Sequence, residues 1–412
     1  MRARHTAHSL PAFPVYSAAF LSDNELVLGG GGGASRSGIK NKLVRTLNSF
    51  YTRRVTYGRG IQRFYRVNDP TKIDLIDEHE LEKGEDAPMS MAAYPDSKQL
   101  VCGINSTEDK LIAGQNENCR VFGVTDDKLV LVQTRGTLTI APETDDYQKV
   151  TALSPNGDFL AVAGSQDLSL LVYPSLALAG AAIHTEHELY DATFSKTDLV
   201  ALTTRNLLVY ALPAVDSDKE KSNTSELKLR QTVHLPKLPN GVEGASFRAA
   251  RFHPQIATTV YTIVNTNPPR TRQKSSSKPS FVVKWNIVPG KEESESTWEV
   301  AKIRKVGDKS ITCFDISSDG RFLAFGSSDY TIGMLDSTTL APLVTILKAH
   351  EFPPTTLRFN PGSTLLVSGS ADNSIRVIRV PTALGGQTWT NLFVMLLTLL
   401  AILFAIAYQI AR

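Results

Sequence analysis

Residues Ser317–Asp336 read SSDGRFLAFGSSDYTIGMLD, and this pattern determines the architecture. A polar turn with Asp319-Gly320 leads into an apolar strand, then a corner of small residues around Asp329, and finally a second strand with alternating side chains. Asp-Gly between apolar runs is a hairpin signal, and alternation with period 2 is typical of a strand. The stretch therefore predicts two neighbouring antiparallel strands.

The same pattern recurs along the chain. SPNGDFLAVAGSQDLSLLVY at Ser154–Tyr173 and NPGSTLLVSGSADNSIRVIRV at Asn360–Val380 repeat it clearly. The weaker copies are Ala18–Leu28 with Lys42–Val67, Pro88–Val132, Phe194–Leu212 and Ala249–Val288. About seven units of roughly forty to fifty residues are typical of WD-type repeats, which close into a ring. The sequence predicts an all-β, seven-bladed WD-repeat-type propeller over residues 1–381, with N-terminal residues completing the last blade.

Several polar residues fit this scaffold. His350 precedes Asp372 by about twenty residues, the spacing of the histidine and the corner aspartate in a WD repeat. We expect a buried hydrogen bond across one blade at this pair rather than a catalytic role. Asp167 and Asp329 occupy the same corner of their own units, and we expect the same role for them.

Composition and motifs argue against several classes of protein. The formal net charge of +3 predicts no bulk attraction to nucleic acid. Three cysteines, Cys102, Cys119 and Cys313, form no disulfide framework and fit a reducing compartment. The sequence contains neither a serine-hydrolase elbow nor a phosphate-binding loop of the P-loop type. His184 and His187 have H-x-x-H spacing without a further ligand nearby, which favours polar loop residues over a metal site.

The C-terminal segment predicts a membrane anchor. Leu392–Ile410 reads LFVMLLTLLAILFAIAYQI without a charge, and as a helix it spans about 28 Å, close to the thickness of a thin bilayer. Trp389 and Tyr408 stand where interfacial aromatic residues belong. The N-terminus has no apolar signal core, so we expect the propeller to face the cytosol, with residues 382–391 as a juxtamembrane linker. The short span favours an early secretory membrane.

A run of five glycines, Gly29–Gly33, interrupts the first unit. Eight further residues separate it from Lys42, so the loop is longer than the two to five residues of an ordinary hairpin connection. Such a backbone can bring carbonyls to one point and bind a cation, or bring N–H groups together and bind an anion. Composition leaves a functional loop and a flexible glycine linker equally open.

At this loop the sequence resembles a known family. The matching residues are Gly29–Gly33 with Gly38–Leu43, supported by Val101–Ser106 and Thr144–Lys149. They are similar to the membrane-anchored guanine-nucleotide exchange factors of the endoplasmic reticulum, the Sec-twelve type, which activate the Sar-type small GTPase that starts COPII coat assembly. The repeat layout and the C-terminal anchor agree with this resemblance along the whole chain.

The resemblance implies a mechanism and a set of site residues. The loop of the first blade binds a potassium ion and presses on the GTPase beside its nucleotide, so that GDP leaves without covalent chemistry. In this chain Ile39 is the implied apolar contact, and Asn41 holds the loop or the ion through its amide. The implied potassium loop, mainly backbone, comprises Gly31, Gly32, Gly33, Gly38 and Asn41. The implied partner is a Sar-type GTPase in its GDP-bound and nucleotide-free states.

One stretch departs from the family, in which Asn41–Leu43 would run directly into Arg63–Val67. Here Val44–Gln62 intervenes, a basic stretch without a clear period. Valine codons begin with GT and glutamine is encoded by CAG, so we hypothesise a retained intron. An insertion this close to the loop puts exchange activity in question.

Two other functions remain open. The first is a membrane-anchored propeller scaffold without exchange activity, for which Ile39 and Asn41 would have no special role. The second is a lumenal or secreted binding module, which sugar on the acceptor sites Asn105-Ser-Thr107 or Asn223-Thr-Ser225 would support.

Overall fold

The computed structural model describes the greater part of the chain. The described residues are 4–33, 38–48, 53–57, 61–65, 73–94, 97–138, 146–214, 225–267, 277–290, 296–381, 393–402 and 408–409. They divide into two compact units, Met1–Arg379 and Val380–Arg412, which we describe separately.

Within the described residues the first unit contains seven antiparallel sheets of four or five strands, each of which is one propeller blade, and one separate two-stranded hairpin. Strand β1 (His5–Ser9) is the outermost strand of the last blade. Blade 1 comprises β2 (Val15–Phe20), β3 (Glu25–Gly30), β4 (Lys42–Asn48) and β7 (Ile73–Glu80), with a separate hairpin of β5 (Arg53–Tyr57) and β6 (Ile61–Tyr65). Blade 2 comprises β8 (Ser90–Ala93), β9 (Gln99–Gly103), β10 (Cys119–Thr125) and β11 (Lys128–Arg135), with helix α1 (Glu108–Ile112) before β10. Blade 3 comprises β12 (Val150–Leu153), β13 (Phe159–Ala163), β14 (Asp167–Val172), β15 (Ala177–Leu178) and β16 (Ile183–His184).

The other four blades follow the same order. Blade 4 comprises β17 (Leu189–Phe194), β18 (Asp198–Thr203), β19 (Asn206–Ala211) and β20 (Leu229–His234), followed by a 3-10 turn at Pro239–Gly241. Blade 5 comprises β21 (Ala245–Phe252), β22 (Thr259–Thr266), β23 (Ser280–Val288) and β24 (Thr297–Gly307). Blade 6 comprises β25 (Ile311–Ile316), β26 (Phe322–Ser327), β27 (Ile332–Asp336) and β28 (Pro342–Ile346). Blade 7 comprises β29 (Pro354–Phe359), β30 (Leu365–Ser370) and β31 (Ser374–Arg379), completed by β1. The predicted all-β, seven-bladed propeller is confirmed.

The second strand of each blade is buried on both faces because neighbouring blades cover it. Strands β13, β26 and β30 are buried at every position, and each begins with a continuous apolar run rather than an alternating pattern. The third strand β31 retains some of the alternation that the sequence pattern predicts. Burial from both sides is the main source of stability in such a fold.

The ring closes between the two ends of the first unit, as the sequence predicts. Strand β1 pairs antiparallel with β31, with His5 opposite Ile378 and Ser9 opposite Ser374. The hydroxyl of Thr355 in blade 7 also donates to the carbonyl of Val15 in blade 1, at 2.5 Å. Closure removes the long free edges that an open sheet would expose.

The predicted hydrogen bond across one blade is confirmed at His350. Its Nδ1 lies 3.2 Å from Asp372 Oδ2, and its Nε2 lies 2.8 Å from Ser368 Oγ. The same expectation is wrong for the other two corner residues. Asp167 is half exposed and pairs with the surface residue His184, at 2.8 Å. Asp329 accepts the backbone N–H of Thr331 within its own turn, at 3.2 Å. The connections that lead into blades 3 and 6 contain no histidine that could reach these aspartates.

The described residues of the stretch 44–62 lie in three strands, β4, β5 and β6. Its first residues continue β4, where Val44 is buried and the buried Arg45 pairs with Glu25. Strand β4 pairs with β7, which is the fourth strand of blade 1. This strand begins beyond Val67, the predicted end of the unit. Arg63, expected in the strand after Leu43, lies instead in the hairpin of β5 and β6.

The second unit contains the predicted anchor. Residues 393–402 and 408–409 are helical, whereas the whole juxtamembrane linker 382–391 lies outside the described residues. In the part of the chain that the structure describes, no helix has both the length and the apolar character needed to cross a bilayer. The span 392–410 stays a prediction from sequence.

Candidate functional site

The glycine loop lies between β3 and β4 of blade 1, and three of its glycines have backbone conformations that side chains disfavour. The φ angles are +137° at Gly31, +71° at Gly33 and +75° at Gly38. A Cβ atom at Gly31 would also come within 2.7 Å of the Lys40 carbonyl oxygen and overlap Asn41. Residues 34–37 lie outside the described part. The two ends of the loop therefore approach each other closely, and glycine at position 31 permits this approach.

The side chain of Asn41 holds the beginning of the loop against its end. Its Oδ1 accepts the backbone N–H of Gly33 at 2.9 Å, and its Nδ2 donates to the Gly33 carbonyl at 2.9 Å. The same Nδ2 donates its second hydrogen to the carbonyl of Glu85 at 2.7 Å. Both hydrogens of the amide are thus used, and Oδ1, which accepts one hydrogen bond among the described residues, has the capacity to accept a second.

Glu85 belongs to the connection between blades 1 and 2, and its side chain is buried. Its carboxylate pairs with Arg120 of β10 at 2.7 Å, and it accepts the backbone N–H of Glu82 at 3.0 Å. Asn41 therefore connects the glycine loop of blade 1 to a turn that is fixed to blade 2.

Similar contacts continue around the same face of the propeller. The backbone N–H of Asp86 donates to the Asn105 carbonyl at 3.1 Å, and Asn105 Nδ2 donates to the Asp146 carbonyl at 3.0 Å. The Asp146 carboxylate accepts the backbone N–H of Ser165 at 3.0 Å. Asn105 and Asp146, which lie in the two supporting motifs of the resemblance, thus connect blades 2 and 3.

This arrangement bears on the lumenal alternative. Asn105 is only 8% exposed and its amide nitrogen is hydrogen-bonded, so the folded protein has no room for a sugar there. Asn223, the other acceptor site, lies outside the described residues.

Ile39, the residue implied to contact a partner, is half-buried, and its neighbours Gly38 and Lys40 are exposed. Two surface ion pairs follow it, Lys40 with Glu80 at 2.8 Å and Lys42 with Glu78 at 2.8 Å. Exposed pairs of this kind contribute about 0–1 kcal/mol to stability, so Asn41 rather than these charges orders the loop.

Several oxygen atoms lie near the glycine loop. They include the carbonyl of Lys40 and Oδ1 of Asn41, both neutral, and a carboxylate oxygen of Asp86 lies 3.5 Å from the position of a Cβ on Gly33. Burial raises the pKa of Tyr16, and the charge of Asp86 raises it further. Within the described residues no three His, Cys, Asp or Glu side chains form a metal cluster. Oxygen ligands of this kind suit hard cations and differ from the Cys and His ligands of zinc sites.

Sequence reasoning found the loop but missed what it rests on. Glu85 and Arg120 stand in no recognisable motif, and nothing in their spacing indicates an ion pair between two blades. Asn105 and Asp146 lie in the two motifs that support the resemblance, but their contact depends on how blades 2 and 3 pack against each other.

Fold and site together define the molecule as a WD-type propeller whose first blade has an asparagine-held glycine loop. The family model "WD domain, G-beta repeat" matches residues 301–336 and 341–379. The chain is 24% identical over 384 residues to the guanine nucleotide-exchange factor SEC12 of Candida glabrata, covering 92% of this chain and 73% of that protein. It is 23% identical over 389 residues to the SED4 protein of the same yeast, covering 92% of this chain and 33% of that protein. Over 83 residues it is 32% identical to SEC12-like protein 2 of Arabidopsis thaliana, covering 20% of this chain and 21% of the relative.

These comparisons make the chain a homologue of SEC12 and SED4 proteins along about nine-tenths of its length. It spans only a third of the SED4 protein and about three quarters of the SEC12 protein. The resemblance stated from the glycine loop is confirmed.

Proposed function

We propose that this protein is a guanine-nucleotide exchange factor for a Sar-type small GTPase, acting at the endoplasmic reticulum membrane to start COPII coat assembly. The name of the SEC12 relative, which matches along most of the chain, supports the exchange activity. The observation that carries the proposal is the geometry of the glycine loop. Asn41 holds Gly33 through both the N–H and the carbonyl of that residue, and Ile39 lies at the exposed end of the loop.

The proposed mechanism needs no covalent step. Ile39 contacts the GTPase beside its nucleotide, and the loop keeps this side chain in place because Asn41 fixes Gly33 to the connection before blade 2. A protein that binds the nucleotide-free GTPase better than the GDP-bound form lowers the affinity for GDP by the same factor. A loop that is already ordered loses less entropy on docking, so more of its contact energy opens the nucleotide pocket.

Potassium is part of the proposal. The carbonyl oxygens of Gly31, Gly32, Gly33 and Gly38, together with the remaining lone pair of Asn41 Oδ1, would hold the ion. A bound cation supplies positive charge that stabilises converging carbonyl groups. The chain's own contribution is the Asn41 hydrogen bonds, which bring the two ends of the loop together.

The proposed location is the endoplasmic reticulum membrane, with the predicted span 392–410 as a single-pass anchor and the propeller in the cytosol. The SEC12 and SED4 relatives support the compartment. The uncharged sequence of the span supports the anchor.

We also propose that Val44–Gln62 is absent from the mature message. Joining Asn41–Leu43 to Arg63–Val67 gives NKLRFYRV, which matches NSIRVIRV at Asn373–Val380 in charge and apolar character at every position except Lys42, which stands opposite Ser374. In β31 the position equivalent to Arg45 is the buried Val377, and the joined chain would place Phe64 there. Sequencing the transcript tests this: a mature message that contains the stretch contradicts it.

The exchange activity is tested by nucleotide release. The full chain in detergent is added to a Sar-type GTPase loaded with fluorescent GDP, in potassium and in sodium, beside Ile39→Ala and a form without Val44–Gln62. We expect acceleration that weakens in Ile39→Ala and is stronger in potassium. If neither form accelerates release, the scaffold function replaces this proposal.

A further inference from the structure

Beneath the glycine loop lies an ion pair that the proposed mechanism does not yet use. Glu85 and Arg120 are 2.7 Å apart, and their side chains are only 4% and 7% exposed. Glu85 is in the connection between blades 1 and 2, whereas Arg120 is on β10, the third strand of blade 2. Neither residue belongs to the loop itself.

Further hydrogen bonds hold both ends of this pair. The Glu85 carboxylate accepts the Glu82 backbone N–H at 3.0 Å, and Arg120 Nε donates to the Glu117 carbonyl at 3.1 Å. The Glu85 side chain is therefore fixed relative to blade 2. Its backbone carbonyl, a few bonds away, is the acceptor for Asn41 Nδ2 at 2.7 Å.

Stability alone is a weak explanation for the pair. Removing two charges from water is costly, and apolar residues of similar volume often serve a fold equally well in such a place. Apolar residues could not fix the position of the Glu85 turn, which keeps the Glu85 carbonyl within hydrogen-bond distance of the Asn41 amide. Charge-assisted hydrogen bonds are directional, so the pair can fix the turn in this position.

We propose that Glu85 and Arg120 are positioning residues for the glycine loop. They fix the Glu85 carbonyl, the carbonyl orients the Asn41 amide, and the amide holds Gly33 and thereby the end of the loop that includes Ile39. Arg120 thus acts on the exchange reaction without touching the GTPase. This inference deepens the proposed function and rests on it.

The test compares Arg120→Met with Arg120→Lys and with a matched control. Arg251→Met is the control, because Arg251 also pairs with a partly buried carboxylate, that of Asp191, but between blades 4 and 5. GDP release is measured over a range of concentrations of the full chain in detergent, and amide hydrogen exchange is followed in the peptide that contains Gly33. Melting temperatures are measured for all variants.

We expect Arg120→Met to lower the maximal release rate by about tenfold, with less than about a twofold change in the half-saturating concentration. The Gly33 amide should exchange about tenfold faster than in the native chain. Arg120→Lys should recover part of both effects, since an ammonium group still pairs with Glu85. Arg251→Met should lower the melting temperature at least as far and leave both readouts unchanged.

A double variant shows whether the effect passes through Asn41. In the Asn41→Ala background Arg120→Met should add little, because the hydrogen bond that it acts on is already absent. Additive effects, or losses that follow melting temperature in Arg120→Met and Arg251→Met alike, overturn the positioning role. If neither the native chain nor the form without Val44–Gln62 accelerates GDP release, the proposed function fails, and the exchange of the Gly33 amide still decides whether Arg120 positions the loop.

Discussion

Substitution of Asn41 by alanine isolates the contribution of the loop to exchange. The change removes two donated hydrogen bonds, to the carbonyls of Gly33 and Glu85, and one accepted from the Gly33 N–H. Each bond contributes about 0.5–1.5 kcal/mol net, and the lower part of that range applies because these groups are only partly buried. The closed loop is therefore destabilised by about 2 kcal/mol relative to open conformations.

That free energy converts into a rate. Since about 1.4 kcal/mol corresponds to a factor of ten, the productive loop conformation becomes roughly 30-fold rarer, and catalysed GDP release should slow by a similar factor. The melting temperature should change little, because the loop can open without unfolding a blade. Stopped-flow release of fluorescent GDP measures the rate, and circular dichroism measures the melting temperature.

Asn360→Ala is the matched control for this substitution. Asn360 is fully buried, donates to the Asp23 carbonyl at 2.9 Å and accepts the Leu365 N–H at 2.9 Å, at the opposite end of β3 from the loop. It should lower the melting temperature more than Asn41→Ala does and leave GDP release unchanged. A loss of less than about threefold in a folded Asn41→Ala protein would refute the reasoning, since the hydrogen bonds would then contribute almost nothing to the reactive loop.

Two further predictions concern the loop glycines and pH. Gly31→Ala should slow GDP release more than Gly38→Ala. Both glycines have positive φ, but only a Cβ at Gly31 overlaps Asn41 and Lys40. Equal effects in the two folded variants would contradict the close approach at Gly31. Burial lowers the pKa of His350, against the opposing charge of Asp372, so folding favours the neutral ring. The unfolded chain takes up the proton first, and stability should therefore fall as pH drops below about 6.5, by at most about 1.4 kcal/mol per pH unit from this residue. Melting temperatures between pH 7 and 5 should show a shallower slope in His350→Gln than in the native chain, and identical slopes would contradict the assignment.

The repeat pattern predicts the propeller well because each blade is a local hairpin with its own turn signals. The strand pair at Ser317–Asp336 could be placed from an Asp-Gly turn and apolar runs alone. The fourth strands were harder to find: β7 and β24 lie far along the chain from the clear pattern and are largely exposed. Exposed edge strands carry little hydrophobic signal, so their position depends on pairing rather than on composition.

The candidate site shows the same division. The loop and Asn41 stand out because glycine runs are rare in strands and mark unusual backbone. The support from Glu85 and Arg120 depends on how two blades meet, which no local pattern encodes. For the corner aspartates the sequence predicts too much. Asp167 and Asp372 occupy equivalent positions in the repeat, but only Asp372 pairs with a buried histidine.

The most direct test of the account is the release of fluorescent GDP from a Sar-type GTPase by the full chain, compared with Ile39→Ala and with the form that lacks Val44–Gln62. The account predicts acceleration by the form without the stretch, weakened in Ile39→Ala and stronger in potassium than in sodium. Release that stays at the uncatalysed rate with every form, while each remains folded, would contradict exchange activity and leave a propeller scaffold.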